Sequence, residues 1–209
     1  MEAASAEDIL RMLEESPGAG RQHLMQLELE GKTALLCQAL DQATSAHVRL
    51  VLCNLMASLA DPAALPCLLP ALSDPDDHVV AAACDAVGNC AYDQPMPERL
   101  RTDLVTRLLQ LSGENSPLPV RTSAIYALGL MRAPQASAML RAALDDQEPS
   151  IRWNAAEALA HIGDSGAIPA LRARSQRETH ERVQRILASA LDALGGNDGG
   201  LPSIATDSR

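Results

Sequence analysis

The sequence predicts an all-α chain built as an α-α superhelix, a row of helix pairs stacked one on the next. Three observations lead there. The 209 residues include no Phe, two Tyr and one Trp although 47% are apolar. A core made of Leu, Ala, Val and Met suits close helix–helix contact and disfavours sheets, where aromatic and β-branched residues prevail. A short segment also recurs five times without gaps, the signature of a repeat architecture. Finally, the apolar residues within each copy fall at helical spacing.

The first 46 residues form the start of the array. They contain "SAEDILRMLEES" from Ser5 and "GRQHLMQLELEGKTALLCQAL" from Gly20, which follow the repeat poorly. A helical cap with a degenerate first repeat is expected over residues 1–46, because terminal repeats must present one polar face to water.

The repeats proper occupy residues 47–195. Their first helices are "HVRLVLCNLMASL" from His47, "HVVAAACDAVGNC" from His78, "PVRTSAIYALGLM" from Pro119, "SIRWNAAEALAHI" from Ser150 and "RVQRILASALDAL" from Arg182. Let the second residue of each copy be position one. Position one is then Val48, Val79, Val120, Ile151 and Val183. Position five is Leu52, Ala83, Ala124, Ala155 and Leu187; position eight is Leu55, Ala86, Ala127, Ala158 and Ala190. Position nine is Met56, Val87, Leu128, Leu159 and Leu191, and position twelve is Leu59, Cys90, Met131, Ile162 and Leu194. Positions one, five, eight, nine and twelve form one apolar stripe, and small residues at five and eight let neighbouring helices approach closely.

A second helix is expected between these, with versions "GKTALLCQAL", "AALPCLLPAL", "QASAMLRAAL" and "GAIPALRARS". Pro66 and Pro169 stand near helix starts, where a missing N–H costs least. Pro70 lies deeper and is expected to bend its helix. The acidic turns "SDPDDH" from Ser73 and "DDQEPS" from Asp145 can cap the helices that follow them. Arg49, Arg121 and Arg152 share position two, so a ladder from Arg to the acidic turn of an adjacent repeat is expected. As exposed pairs, its rungs would contribute about 0–1 kcal/mol each. Residues 91–119 are an insertion with a longer loop and a longer second helix, Pro97 to Leu111. After Leu194 comes "GGNDGGLPSIATDSR", Gly-rich and poor in apolar residues, read as a disordered tail over residues 196–209.

These residues, above all "IRWNAAEALAHIGDSGAIPAL" and "VRTSAIYALGLM", resemble the HEAT-like repeats of the phycobilisome-lyase type over roughly residues 20 to 195. The resemblance implies an armadillo-type α solenoid. It also implies three kinds of function: protein-binding scaffolds, bilin lyases or their chaperone-like subunits that bind a tetrapyrrole, and an iron-dependent deoxyhypusine hydroxylase. The hydroxylases carry His-Glu pairs at positions three and four as iron ligands. Here those positions are Leu50-Val51, Ala81-Ala82, Thr122-Ser123, Trp153-Asn154 and Arg185-Ile186. The only His-Glu pair, His180-Glu181, is out of register, so the hydroxylase reading is disfavoured.

Positions three, four, seven and eleven lie outside the apolar stripe and share a face that, stacked across repeats, makes a binding groove. The partner-binding residues expected there are Trp153, Tyr126, Asn154, Glu157, His161, Thr122, Asp85, Asn89 and Arg185. Two of the three aromatics fall on this face in adjacent repeats, and aromatics and Arg are the usual binding anchors. The plain alternative is that Trp153 covers a neighbouring helix. Glu157 and His161 are i, i+4 neighbours that could share a metal with Asp85, but such a pair is more often a solvated one. "GDSG" from Gly163 matches a protease signature by four residues and reads better as a tight turn.

The expectation is therefore an interaction module rather than an enzyme, with no catalytic residues, cofactor or metal and with a protein partner. Binding a tetrapyrrole is the alternative. Nucleic acid is disfavoured by the net charge of −10, since such binding draws on neutralised phosphates. The Arg-rich stretch Leu171 to Arg185 is the one feature that favours it. No apolar run is long enough to span a membrane, and "MEAASAEDIL" lacks the basic and apolar regions of a signal peptide. Five Cys without a C-x-x-C pair suggest reduced thiols and a cytoplasmic protein.

Overall fold

A computed structural model describes residues 5–15 and 33–195. Every regular element among them is helical. The order is α1 (Ala6–Glu15), α2 (Thr33–Gln42), α3 (Ala46–Leu59), α4 (Leu65–Ala71), α5 (Asp77–Ala91), α6 (Glu98–Leu111), α7 (Leu118–Leu130), α8 (Ser137–Ala143), α9 (Pro149–Ile162), α10 (Ile168–Ser175) and α11 (Glu181–Ala193). Single 3-10 turns at Pro62–Ala64, Pro134–Ala136 and Ser165–Ala167 lead into α4, α8 and α10. The five repeated segments are α3, α5, α7, α9 and α11. The expected C-terminal tail and the segment from Gly20 to Gly31 lie outside the described residues.

The first helices form one continuous layer. α5 packs most extensively on α3 and α7, and α9 on α7 and α11. The reason is legible in small residues. Gly129, at position ten of α7, sits so close to α9 that an added Cβ would lie 2.7 Å from the Ala158 Cα. Gly88 stands in the same relation to Ala127, with 3.0 Å between the added Cβ and its Cα. The small residues at position eight thus face position ten of the preceding repeat. The inner first helices α5, α7 and α9 are thereby enclosed on both flanks.

Positions one, five, eight and nine are buried in all five repeats, whereas position twelve is fully buried only at Cys90 and Met131. The close approach also buries residues that the spacing had placed on the open face: Val51, Ala82 and Leu130 are buried. So is position six, filled by Cys53, Cys84, Ile125 and Ala156. A helix flanked on two sides has a buried arc wider than one stripe.

The second helices are short except α6, which spans fourteen residues in the insertion and begins after Pro97. Pro66 and Pro169 fall in the first turns of α4 and α10, and Pro70 lies inside α4. Turn chemistry follows the sequence closely. Asp76 accepts from the backbone N–H of His78 and Val79 to start α5. Gly163 ends α9 with a left-handed φ of 77°, a conformation that costs glycine nothing. Asp164 then caps the following 3-10 turn through Gly166 N.

The arginine ladder forms, but not as exposed pairs. Arg49 meets Asp74, Arg121 meets Asp146 and Arg152 meets Glu178, each an adjacent-repeat turn. Arg152 and Glu178 are only 6% and 4% exposed. Arg152 Nε and Nη2 donate to the two carboxylate oxygens of Glu178 at 2.7 and 2.9 Å. Its Nη1 donates back to the carbonyls of Asp146 and Gln147. Arg49 makes the same double gesture, reaching forward to Asp74 and back to Thr44 O. One guanidinium therefore ties together two successive inter-helix turns, and stacking of the repeats shields it from water. The second repeat has Val80 at position two; there Arg107 of α6 donates instead to Leu72 O.

The thiol expectation is corrected. Cys37 of α2 and Cys67 of α4 form a disulfide, while Cys53, Cys84 and Cys90 are free and buried. The two bonded residues occupy matching places on adjacent second helices, which stacking sets side by side, with Cα atoms 5.6 Å apart. That bond removes the argument from reduced thiols to a cytoplasmic location. Burial pushes the three free thiols up to about 12, consistent with core filling. No helix among the described residues is long and apolar enough to cross a membrane.

Candidate functional site

Close packing of the first helices leaves one strip of that layer incompletely covered. Position seven runs along it as Asn54, Asp85, Tyr126 and Glu157, all half-buried, before ending at the exposed Ser189. Two depressions open on the strip. The larger, about 410 Å³, is lined by Asn54, Ala57, Ser58, Asp85, Asn89 and Tyr126. The smaller, about 270 Å³, is lined by Glu157, Ala160, His161, Ile186, Ser189, Ala190 and Ala193.

The larger cleft spans α3, α5 and α7 and has a defined polar lining. The Tyr126 hydroxyl donates to Asn89 Oδ1 at 3.4 Å, and Asn89 Nδ2 donates to Ala57 O at 3.1 Å. These bonds link one residue from each of the three repeats. Asp85 lies beside them, and none of the described ion pairs includes it. Burial pushes its carboxyl above the usual carboxylate range, opposed by a hydrogen bond from Ser123. Burial likewise raises the Tyr126 phenol, helped by the negative charges of Asp85 and Glu157.

The nine residues predicted for the site divide into three groups. Asp85, Asn89 and Tyr126 meet in the larger cleft, joined by Asn54 and Ser58 from the same register. Glu157 and His161 line the smaller one. The other four are not gathered at either. Thr122 Oγ1 donates to Leu118 O and Asn154 Nδ2 to Ser150 O, each bonding its own helix one turn back. Arg185 is exposed.

Trp153 has a more occupied role than its register implies. The Arg182 guanidinium of α11 lies 3.3 Å from its ring centroid, a cation–π contact. Trp153 Nε1 donates to Glu157 Oε2 at 3.1 Å. The ring is half-buried and packs on the core. It bridges α9 and α11. Arg182 was missed because it precedes position one, outside the face that the repeat pattern defines.

The Arg-rich stretch is largely spoken for. Arg174 pairs with Glu178 and Asp145, Arg177 with Asp145, and Arg182 covers Trp153. Among the described residues no three His, Cys, Asp or Glu side chains converge as metal ligands would. His180 precedes α11 on the exposed surface, far from a ligand register.

The sequence matches a family described as HEAT repeats over residues 33–103 and 104–192. No curated protein matches it. Several solved structures share the fold. A designed armadillo repeat protein in complex with the peptide (KR)4 is similar at 21% identity and a TM-score of 0.61, with 90% of this chain and 92% of that one covered. An engineered protein is similar at 19% identity and a TM-score of 0.59, covering 91% and 90%. YibA of Escherichia coli is similar at 17% identity and a TM-score of 0.51, covering 91% and 81%. Likeness at such identities speaks for architecture alone. The stacked helix pairs, the five-fold register and the match over most of the length lead to one conclusion: the chain belongs to the HEAT repeats family.

Proposed function

We propose that the protein is a non-enzymatic interaction module that binds an extended segment of a partner protein along the open strip of its first-helix layer. The observation that carries this reading is the cleft of α3, α5 and α7. Three successive repeats present half-buried polar side chains there, tied into one surface by Asn89 and Tyr126. Amide and hydroxyl groups at a repeat spacing can meet the polar backbone of an extended chain, and a half-buried Tyr supplies an anchor. The designed armadillo protein of similar fold, with its bound (KR)4 peptide, supports the idea that such a surface can hold a chain. Our reading of the repeat subtype remains the phycobilisome-lyase type, without a bilin function. A tetrapyrrole would need a large apolar cleft; the larger depression is lined by polar groups of Asn54, Ser58, Asp85, Asn89 and Tyr126, and the more apolar one, about 270 Å³, falls below the usual range of ligand pockets, about 300–1,000 Å³.

The test is selection of random peptides against the immobilised protein. Binding of the selected peptides is then measured by the fluorescence of Trp153, the single Trp. Tyr126→Ala should weaken them by about 2 kcal/mol while leaving the helical spectrum unchanged. A selection that yields no binder, or binders indifferent to Tyr126→Ala, would count against the module.

A further inference from the structure

We propose that Asp85 anchors a subsite for a Lys or Arg side chain of the bound segment. The inference rests on the groove reading above and narrows it to a partner of basic character.

The argument begins with a cost. A carboxylate removed from water without a cation loses hydration that its surroundings must replace. Elsewhere this chain replaces it thoroughly. Asp74, Asp146 and Glu178 each have an Arg within ion-pair distance, and Asp76, Asp61 and Asp164 cap backbone N–H groups. Asp85 sits mid-helix in α5, where no free N–H group is available, and the Ser123 hydroxyl is its one described support. Position seven does not require an acid for packing: Asn54 and Tyr126 fill it in the flanking repeats.

The surroundings then state what would complete it. Asp85 lines the 410 Å³ cleft together with Asn54, Asn89 and Tyr126. Among the face positions of α3, α5 and α7 it is the sole charged side chain. A guanidinium or ammonium entering there meets a carboxylate, amide and hydroxyl acceptors, and an aromatic ring at its edge. The next carboxylate along the strip, Glu157, accepts from the Trp153 indole, on whose ring the Arg182 guanidinium stacks. The strip thus bears its acids at α5 and α9, while the Arg residues Arg182 and Arg185 stand at α11. That asymmetry favours a segment whose basic residue seats at α5.

Three fluorescein-labelled peptides of equal length, alternating Lys-Ser, Gln-Ser and Glu-Ser, would be titrated by anisotropy against the full chain and its variants. The Lys-Ser peptide should bind tightest. Asp85→Asn should weaken it roughly tenfold or more while leaving Gln-Ser binding unchanged. Asp85→Glu should restore part of the loss, and Glu157→Gln should have the smaller effect. Equal binding of Lys-Ser to the wild-type and Asp85→Asn proteins overturns the subsite, as does a preference for Glu-Ser or failure of Lys-Ser to bind. Should random-peptide selection still give Tyr126-dependent binders in that event, the groove reading survives without the subsite. Failure of both experiments removes both.

Discussion

Two carboxylates in this array, Glu178 and Asp85, are withdrawn from water in opposite ways. Glu178 is 4% exposed, yet it accepts from Arg152, from Arg174 and from the backbone N–H groups of Thr179 and His180. The Arg152 hydrogen bonds lead in holding its carboxyl down to about 2, against the opposing effect of burial. Asp85 is less buried but has no described cation, and burial pushes its carboxyl up. The fold plainly can satisfy a buried acid when the acid serves to join repeats. An acid left unsatisfied in a cleft is better understood as waiting for a group from outside.

The sharpest way to break this comparison is at the ladder. Arg152→Ala leaves Glu178 buried with only Arg174 and two amides, and should cost about 3–5 kcal/mol in a urea melt. The disturbance should concentrate at α9–α11, because a solenoid transmits stability mainly between neighbours. Acid should act similarly on the wild type. A depressed folded pKa contributes stability that is complete above the ordinary carboxyl value of 4.5. It is lost as pH falls from there through about 2, a loss of about 3 kcal/mol for Glu178. Arg152→Ala should flatten that part of the pH profile. A penalty below about 1 kcal/mol would mean the ladder is an ordinary surface feature.

A smaller effect is expected at the close contact of α7 and α9. Gly129 separates α7 from α9 by so little that Gly129→Ala sets a methyl against the Ala158 backbone. Overpacking of this kind costs about 1–3 kcal/mol, and the better helix propensity of Ala returns about 1. The net should be a loss of up to about 2 kcal/mol, seen in thermal or urea melts. Since the close contact is to Ala158 main chain as well as its Cβ, Ala158→Gly should rescue only part of it. A stabilised Gly129→Ala variant would show that the two helices can separate freely.

These examples also mark how far the sequence was readable. Periodicity located the helices, the repeat register and the columns at positions one, five, eight and nine, because burial on a helix follows its turn. It also led Arg49 and Arg121 to the acidic turns at Ser73 and Asp145, but not Arg152 to Glu178, which lies in the Arg-rich stretch. What it could not convey was distance between repeats. Position ten decides that distance through Gly88 and Gly129, and the resulting approach buried Val51, Ala82 and Leu130, which a one-stripe reading left open. The same blindness hid the Cys37–Cys67 bond, since matching positions become neighbours only after stacking. Within the candidate site, shared register set Asp85, Asn89 and Tyr126 along one cleft. It did not convey the cover on the Trp153 ring, which Arg182 supplies from a position the repeat does not define.

The smallest effect is the most telling, because its sign differs. A carboxyl whose folded pKa lies above the unfolded value of 3.8 binds its proton more tightly when folded. Stability tied to that proton is present below the unfolded pKa and fades as pH rises through the folded one. At neutral pH the ionised Asp85 therefore burdens the fold, and Asp85→Asn should raise stability slightly. The gain should shrink in melts at acid pH, where the wild-type carboxyl is itself uncharged. Glu178→Gln, handled identically, should lose stability at neutral pH and approach the wild type as acid protonates Glu178. A destabilised Asp85→Asn protein would place Asp85 with Glu178 among the joints of the array and would leave no reason to expect a basic partner at α5.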